Sequence, residues 1–340
     1  MQAHGDAVPG PPERLLDIRD LKLAFAARRG VIKALNGVNL HIAPGERLGV
    51  VGESGSGKSV TAQSVLGLVN AAEISGEILF EGRDLLKASP AELRAVRGAE
   101  IGYIFQDPLS SLDPVRTIGH QIAEVLRIRG VGKAEARKRS ADMLGRVGIQ
   151  RAAQRMDDYP HQFSGGMRQR VMIAMALVAE PKLIIADEPT TALDVRIQAQ
   201  VLNLLLELAD ERHLAVMFIT HDLGILSGFA ERVVVMYAGR CMEECSTDEL
   251  FYRSINPYTL GLLSSLPRID GEIPDKLTTI GGSPPSPALN LAGCPFHPRC
   301  RYAKPICTEQ VPALVTPVGG EHPSACHFAG WLAERPGVLR

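Results

Sequence analysis

This sequence carries no excess of either charge: 37 Lys and Arg stand against 38 Asp and Glu, a formal net charge of −1. Nothing in that balance suggests a basic nucleic-acid footprint or a polyanionic tail. Long apolar runs are missing too. The longest, VMIAMALVA, is about half the roughly 18–20 residues that span a bilayer, and reads as a buried helix. The opening MQAHGDAVPGPPER has no apolar stretch of signal-peptide type, and its Pro and Gly content reads as a disordered leader over residues 1–13. No solenoid-type repeat is evident. Cysteine is scarce until the end, where four of the chain's six fall in the last fifty residues. A cytosolic chain keeps its thiols reduced, so a disulfide framework is not expected and metal or cluster ligation becomes the alternative. What remains is 340 residues with 45% apolar content, enough for one large domain plus an extension, or for two domains.

Three apolar runs end in chemistry. The first, Leu48 to Val51, reads as a buried strand and runs into Gly52-x-x-x-x-Gly57-Lys58-Ser59, followed by apolar residues at helical spacing. This is a P-loop in strand–loop–helix context. Its glycines let backbone N–H groups surround phosphate oxygens, and the following helix points its positive end at the same anion. The expected nucleotide-binding stretch is Gly52, Ser54, Gly55, Gly57, Lys58, Ser59 and Val60. Lys58 is expected on the β- and γ-phosphates and Ser59 on Mg²⁺. The second run, KLIIADEP, places Asp187 and Glu188 at the C-terminal end of a buried parallel strand. Asp187 is expected to hold Mg²⁺, and Glu188 to polarise the attacking water. The third run, AVMFIT, ends at His221, which is expected to contact the γ-phosphate.

Between the P-loop and the acidic strand lies YPHQFSGGMRQRVMIAMAL. Ser164-Gly165-Gly166 opens a helix and supplies a second set of bare backbone donors. Two anion-binding helix ends in one chain make sense if two chains pair head to tail, each site using one P-loop and the partner's SGG.

With these residues in place the chain resembles the ATP-binding subunits of ABC transporters. SGGMRQR looks like the signature, Gln106 in YIFQDP like the Q-loop, TTALD ending at Asp194 like the D-loop and His221 like the switch histidine. The signature opens with Phe163 where Leu is common in the family. FQDPLSSLDPVRTIGHQI, NPYTLGLLSSLPRID and the late cysteine segment narrow the resemblance to the dipeptide/oligopeptide importer branch. Nickel and glutathione importers are relatives in that branch and remain alternatives. The resemblance implies an α/β fold: a P-loop NTPase of ABC type with an antiparallel β subdomain, a RecA-like core, a helical signature subdomain and a small C-terminal Cys-rich extension. It implies ATP and Mg²⁺ as ligands, with Gln106 joining Ser59 and Asp187 at the metal, and Phe25 as a candidate to stack on adenine. As partners it implies a second, homologous ATP-binding subunit in a heterodimer, two transmembrane permeases and an extracytoplasmic solute-binding protein. It places the chain peripherally on the cytoplasmic face of the membrane. A soluble ABC ATPase acting on DNA or ribosomes is the competing class. Such proteins usually carry a second cassette or a long coiled coil, and neither is evident here.

The expected division is a leader at 1–13, an ATP-binding domain at 14–255 with its helical subdomain at about 107–180, and an extension at 256–340. Ser246-x-x-Glu249 reads as a capping box, and GGSPPSPALN as a linker. Cys294, Cys300, Cys307 and Cys326 are separated by five, six and eighteen residues, unlike common zinc knuckles. Four thiolates suit tetrahedral zinc or a 4Fe–4S cluster. Wide, loop-borne spacing and the presence of iron–sulfur centres in some relatives favour the cluster, while His297, His322 and His327 keep zinc open. Cys241 and Cys245 read as ordinary thiols.

Overall fold

The computed structural model describes residues 14–27, 30–191, 193–266, 280–286 and 291–334. The leader expected at 1–13 lies outside them. Among the described residues ten strands form two sheets: β1 Leu16–Ala27, β2 Gly30–Ile42, β3 Arg47–Val51, β4 Glu73–Phe80, β5 Arg83–Asp84, β6 Ile101–Ile104, β7 Leu183–Asp187, β8 Ala215–Thr220, β9 Arg232–Tyr237 and β10 Arg240–Ser246. The antiparallel sheet has the order β2-β1-β4-β5, and the larger one β10-β9-β3-β8-β7-β6. Within the larger sheet β3 pairs in parallel with both β8 and β9, β8 with β7, and β7 with β6, while β10 closes one edge antiparallel to β9.

The central strands are short apolar runs because both their faces are covered, one (Ile184, Val216, Phe218) by the helical core and the other (Val50, Ile185, Met217) by the antiparallel sheet and the helix after the P-loop. Every residue of β7 and β8 is buried. Each fully buried Val, Ile or Leu there contributes ~1.5–3 kcal/mol relative to exposure. β1 instead mixes buried and exposed residues and carries register shifts against β2. Parallel pairing brings the C-terminal ends of β3, β6, β7 and β8 to one edge of the sheet, the edge where open α/β sheets bind ligands. All the strand-end residues predicted to be functional lie there.

Helices fill the stretch predicted to be helical, including Ile118–Arg127, Lys133–Arg146 and Gly165–Leu177. Ile118, Ile122, Leu144, Phe163 and Val171 are buried in one core with β7 and β8 residues. The capping box forms as read: Glu249 N–H donates to Ser246 Oγ at 3.2 Å, and Ser246 N–H donates to Glu249 Oε2 at 2.8 Å. Among the described residues no helix is long and apolar enough to cross a membrane.

The extension is pinned to β10. Ala325 N–H donates to Met242 O at 2.7 Å and Glu244 N–H to Pro323 O at 3.1 Å. The fully buried Glu243 carboxylate accepts from Ser254 Oγ, from Ile255 N–H and lies 2.9 Å from His322 Nε2. Among the described residues the apolar cluster around the extension's last helix is small, Ala329 and Leu332 packing with Ile255 at the end of the cassette. Docking on the cassette therefore supplies most of what orders it.

Candidate functional site

β3 delivers the chain into the loop Gly52–Gly57, and the helix Lys58–Val65 leaves it. Gly52 has φ +155, and a Cβ there would sit 2.1 Å from Met236 O. Only glycine fits this close approach. A Cβ on Gly55 would meet nothing within 4 Å, so the loop's outer face is open. Lys58 is buried, and its Nζ donates to Gly52 O at 2.7 Å and Glu53 O at 3.1 Å. Burial pulls its pKa below the ordinary value, against the opposing pull of Glu188, Asp187 and Glu53. Ser56 Oγ is buried and has no hydrogen-bond partner among the described residues. An open loop face, a buried ammonium held only by neutral carbonyls and an orphaned hydroxyl fit an anion with several oxygens.

Across the sheet edge, Ser59 Oγ donates to Asp187 Oδ1 at 2.8 Å and Tyr103 OH to Asp187 Oδ2 at 2.9 Å. Burial raises the Asp187 pKa, and these two hydrogen bonds partly offset the rise. The Ser59 and Asp187 oxygens form a hard pair of the kind that Mg²⁺ takes.

Glu188 follows at φ +47, a left-handed conformation held by its N–H on Ile219 O at 3.0 Å. Gln106 Nε2 donates to Glu188 Oε2 at 2.9 Å, Thr191 Oγ1 donates to the same oxygen at 3.0 Å, and His221 Nδ1 lies 3.3 Å from it. The Glu188 side chain is 14% exposed and that of His221 54%, so the histidine stands at the rim.

Six predicted residues thus meet in one place: Lys58, Ser59, Asp187, Glu188, Gln106 and His221. The Gln106 amide is turned to Glu188 rather than to the Ser59–Asp187 pair where the metal was expected. Phe25 is half-buried, pairs with Ile32 and packs against the core under the antiparallel sheet. It does not line the cavity of about 240 Å³ beside the P-loop, which is walled by Val31, Lys33, Ser54, Arg240 and Pro285 among others. Tyr103 and Thr191 were not foreseen as contacts of the two carboxylates. The available signal was position: Tyr103 lies on the strand beside β7, and Thr191 three residues beyond Glu188.

Ser164 caps the helix Gly165–Leu177 by accepting from Met167 N–H at 3.3 Å. Ser164 and Gly165 are exposed, and a Cβ on Gly165 would meet nothing within 4 Å. This helix end is open to a ligand from outside the chain. Gly166 is closed off by Ile197, whose Cγ2 would lie 2.7 Å from an added Cβ. Asp194 caps the helix Val195–Arg212 through Arg196 and Ile197 N–H. Val60 lies in the helix that leaves the loop, packed against the core, and Ser54 lines the cavity of about 240 Å³.

The late cysteines converge. Cys294, Cys300, Cys307 and Cys326 line one cavity of about 20 Å³ together with Phe296 and Phe328. Burial pushes the Cys294 thiol up to about 11 and Cys326 up to about 12, and raises Cys300. Among the described residues no group of three or more His, Cys, Asp or Glu side chains is arranged to hold a metal ion. The donor set fits a thiolate centre, but a cavity of this size takes about one water or small ion. A four-iron cubane requires the four thiols to move apart. The histidines are engaged elsewhere: His297 Nδ1 with Cys294 O, His322 Nε2 with Glu243, and His327 Nε2 with Gln310 O. Cys241 and Cys245 are buried on β10 and do not line this cavity, and burial raises both their pKa values as well.

Comparison with known proteins agrees with this geometry. Residues 35–191 match the family "ABC transporter", and residues 242–307 match "Oligopeptide/dipeptide transporter, C-terminal region". The chain is 50% identical over 316 residues to a probable peptide ABC transporter ATP-binding protein, y4tR, of Sinorhizobium fredii, covering 92% of this chain and 94% of that one. It is 49% identical over 306 residues to the oligopeptide transport ATP-binding protein OppD of Salmonella typhimurium, covering 89% of this chain and 91% of that one. Among solved structures, the dimeric ATP-binding cassette MJ0796 in a post-hydrolysis state bound to ADP and Pi superposes with a TM-score of 0.62. That match has 30% identity and covers 68% of this chain and 98% of the cassette. The chain belongs to the ABC transporter family of ATP-binding proteins, in the branch whose cassette is followed by the oligopeptide/dipeptide transporter C-terminal region.

Proposed function

We propose that this chain powers the import of di- or oligopeptides as the ATP-hydrolysing subunit of a membrane permease complex. ABC ATP-binding subunits bind ATP with Mg²⁺, hydrolyse it and work with membrane permeases. The peptide substrate, the partner set and the residue roles are our reading. The observation that carries it is the pairing of a hydrolytic constellation on one sheet edge with a second helix end exposed at Ser164 and Gly165. The chain holds both halves of a nucleotide sandwich, facing different partners. Peptide as cargo is supported by the relatives named OppD and by the matched C-terminal region.

In this reading Lys58 and the loop amides bind the phosphates, and Ser59 and Asp187 hold Mg²⁺. Glu188 takes a proton from the attacking water while Gln106, Thr191 and His221 orient its carboxylate. A bound Mg²⁺ supplies charge neutralisation on the phosphates. Ser164, Gly165 and Gly166 serve the site of a second, non-identical ATP-binding subunit, and closing of that heterodimer drives the permeases. Residues 14–255 act as the cassette and 256–340 as the extension. The chain sits on the cytoplasmic face, and an extracytoplasmic solute-binding protein delivers cargo to two permeases. The test is reconstitution in vesicles with those permeases, the second ATPase and the binding protein. Peptide-loaded binding protein is expected to stimulate ATP turnover. Stimulation by nickel or glutathione instead would redirect the cargo assignment, and activity with no permease present would reject the transport role.

We further propose that the four late cysteines hold a 4Fe–4S centre once the thiols move apart from their arrangement in this structure, with zinc, which needs less room, as the alternative. Convergence of four thiols on one cavity supports a four-thiolate site, and its donors are the cysteines alone because the nearby histidines have other partners. Such a centre would be structural, closing an extension with little core of its own. Anaerobic purification is expected to give a brown protein with about four irons per chain. A colourless protein with one zinc per chain, or none, would reject the cluster.

A further inference from the structure

The extension reaches the phosphate loop through two side chains, Arg299 and Tyr258. Arg299 lies in the 3-10 turn His297–Arg299, between Cys294 and Cys300. Its guanidinium donates to both oxygens of Glu53, Nη1 to Oε2 at 2.6 Å and Nη2 to Oε1 at 2.9 Å. Nε donates to Gly281 O at 2.9 Å and Nη1 also to Tyr237 OH at 3.2 Å. The side chain is only 5% exposed, and that of Glu53 25%. Its face rests against the rings of Tyr237 and Phe296, at 5.8 and 6.0 Å from their centroids. Glu53 is the residue after Gly52, the second of the phosphate loop.

Glu53 is gripped from three sides. Arg299 holds its carboxylate. Tyr258, fully buried at the start of the extension, accepts from its N–H at 2.8 Å. Its carbonyl accepts from Lys58 Nζ. Two of the three grips come from the extension and the third from the lysine that meets phosphate. Tyr258, Tyr237 and Phe296 pack together with ring centroids 4.5–5.5 Å apart, so the grip has a rigid base.

We propose that Arg299 is a positioning residue for ATP binding: with Tyr258 it sets the backbone at Glu53, and so couples the C-terminal extension to the phosphate loop. A loop whose amides are already aimed binds phosphate without a cost of ordering. A bidentate arginine on a carboxylate fixes orientation as well as distance, which a lysine cannot do. Coupling is reciprocal, so nucleotide bound at the loop must steady the turn that carries Arg299. The proposal rests on the reading of Gly52–Ser59 as the ATP-phosphate loop.

The test uses the full chain and MgATP. Arg299→Ala is expected to raise the ATP Kd about tenfold, the reach of one lost charge-assisted contact. In the assembled transporter KM rises similarly while kcat stays within about twofold, because Arg299 touches no reacting atom. Arg299→Lys recovers part of the affinity. Hydrogen exchange at 293–300 slows on addition of MgATP in the wild type and does not in Arg299→Ala. If Arg299→Ala fails to fold, Glu53→Gln carries the test and is expected to raise Kd in the same direction. Binding within twofold of wild type in whichever variant folds, with nucleotide-dependent protection at 293–300 unchanged, overturns the proposal. Lys58→Ala separates the two readings: if it binds ATP like the wild type, the loop assignment has failed. If it loses binding and Arg299→Ala does not, only the coupling has failed.

Discussion

Glu188→Gln is expected to slow ATP hydrolysis by ~10²–10⁴-fold while leaving ATP binding intact, the usual reach of general-base chemistry. In barrier terms this is ~3–5 kcal/mol. Glutamine keeps the size of the side chain and one acceptor oxygen, so Gln106, Thr191 and His221 can still crowd around it. What it loses is the ability to take a proton. Those three neighbours converge on Oε2, which fixes the carboxylate's orientation, and the strained backbone at φ +47 aims it off the end of β7. Such strain persists where the surroundings over-determine it, and here the Ile219 carbonyl does so. Phosphate release and binding of a fluorescent ATP analogue, measured on the same preparation of the assembled complex, check the split. A fall in both would mean that Glu188 binds nucleotide rather than activating water. Turnover within about fivefold of wild type would remove it as the base.

Much of this site could be read from sequence because it lies at strand ends. A buried parallel strand is a short apolar run, and the residues just past the run fall on the binding edge; Asp187, Glu188 and His221 follow from that rule once the P-loop marks the edge as a phosphate site. The P-loop adds a glycine pattern whose backbone demands are local, as Gly52 against Met236 O demonstrates. Contacts without a local signature could not be read. Tyr103 reaches Asp187 across 84 positions, and Arg299 reaches Glu53 across 246. No periodicity spans such distances. Phe25 shows the limit from the other side. An aromatic in a strand fits adenine or core equally well, and in this structure its ring packs on the core side. For the cysteines, sequence singled out the four thiols that line one cavity but could not size that cavity at about 20 Å³.

Lys58→Ala is expected to raise the ATP Kd by about 10²–10³-fold and to abolish turnover. Truncating one partner of a buried, hydrogen-bonded charge contact costs 2–5 kcal/mol or more, and ~3–4 is taken here. Three features place Lys58 at that level. Its ammonium is buried, so its contacts are little screened by water. Its present partners, Gly52 O and Glu53 O, are neutral and belong to the loop itself. Exchanging them for phosphate oxygens turns two ordinary hydrogen bonds into charge-assisted ones, and this gain is made only when nucleotide is bound. The carboxylates of Asp187, Glu188 and Glu53 also pull on Lys58 and oppose the burial effect on its pKa. Removing the cation leaves Asp187 and Glu188 facing the incoming phosphates uncompensated, which weakens binding further. Alanine at this position keeps the helix, so loss of affinity without loss of thermal stability is the expected pattern. Calorimetric titration with MgATP beside a melting curve measures both, and an ATP Kd within about tenfold of wild type would reject Lys58 as the phosphate ligand.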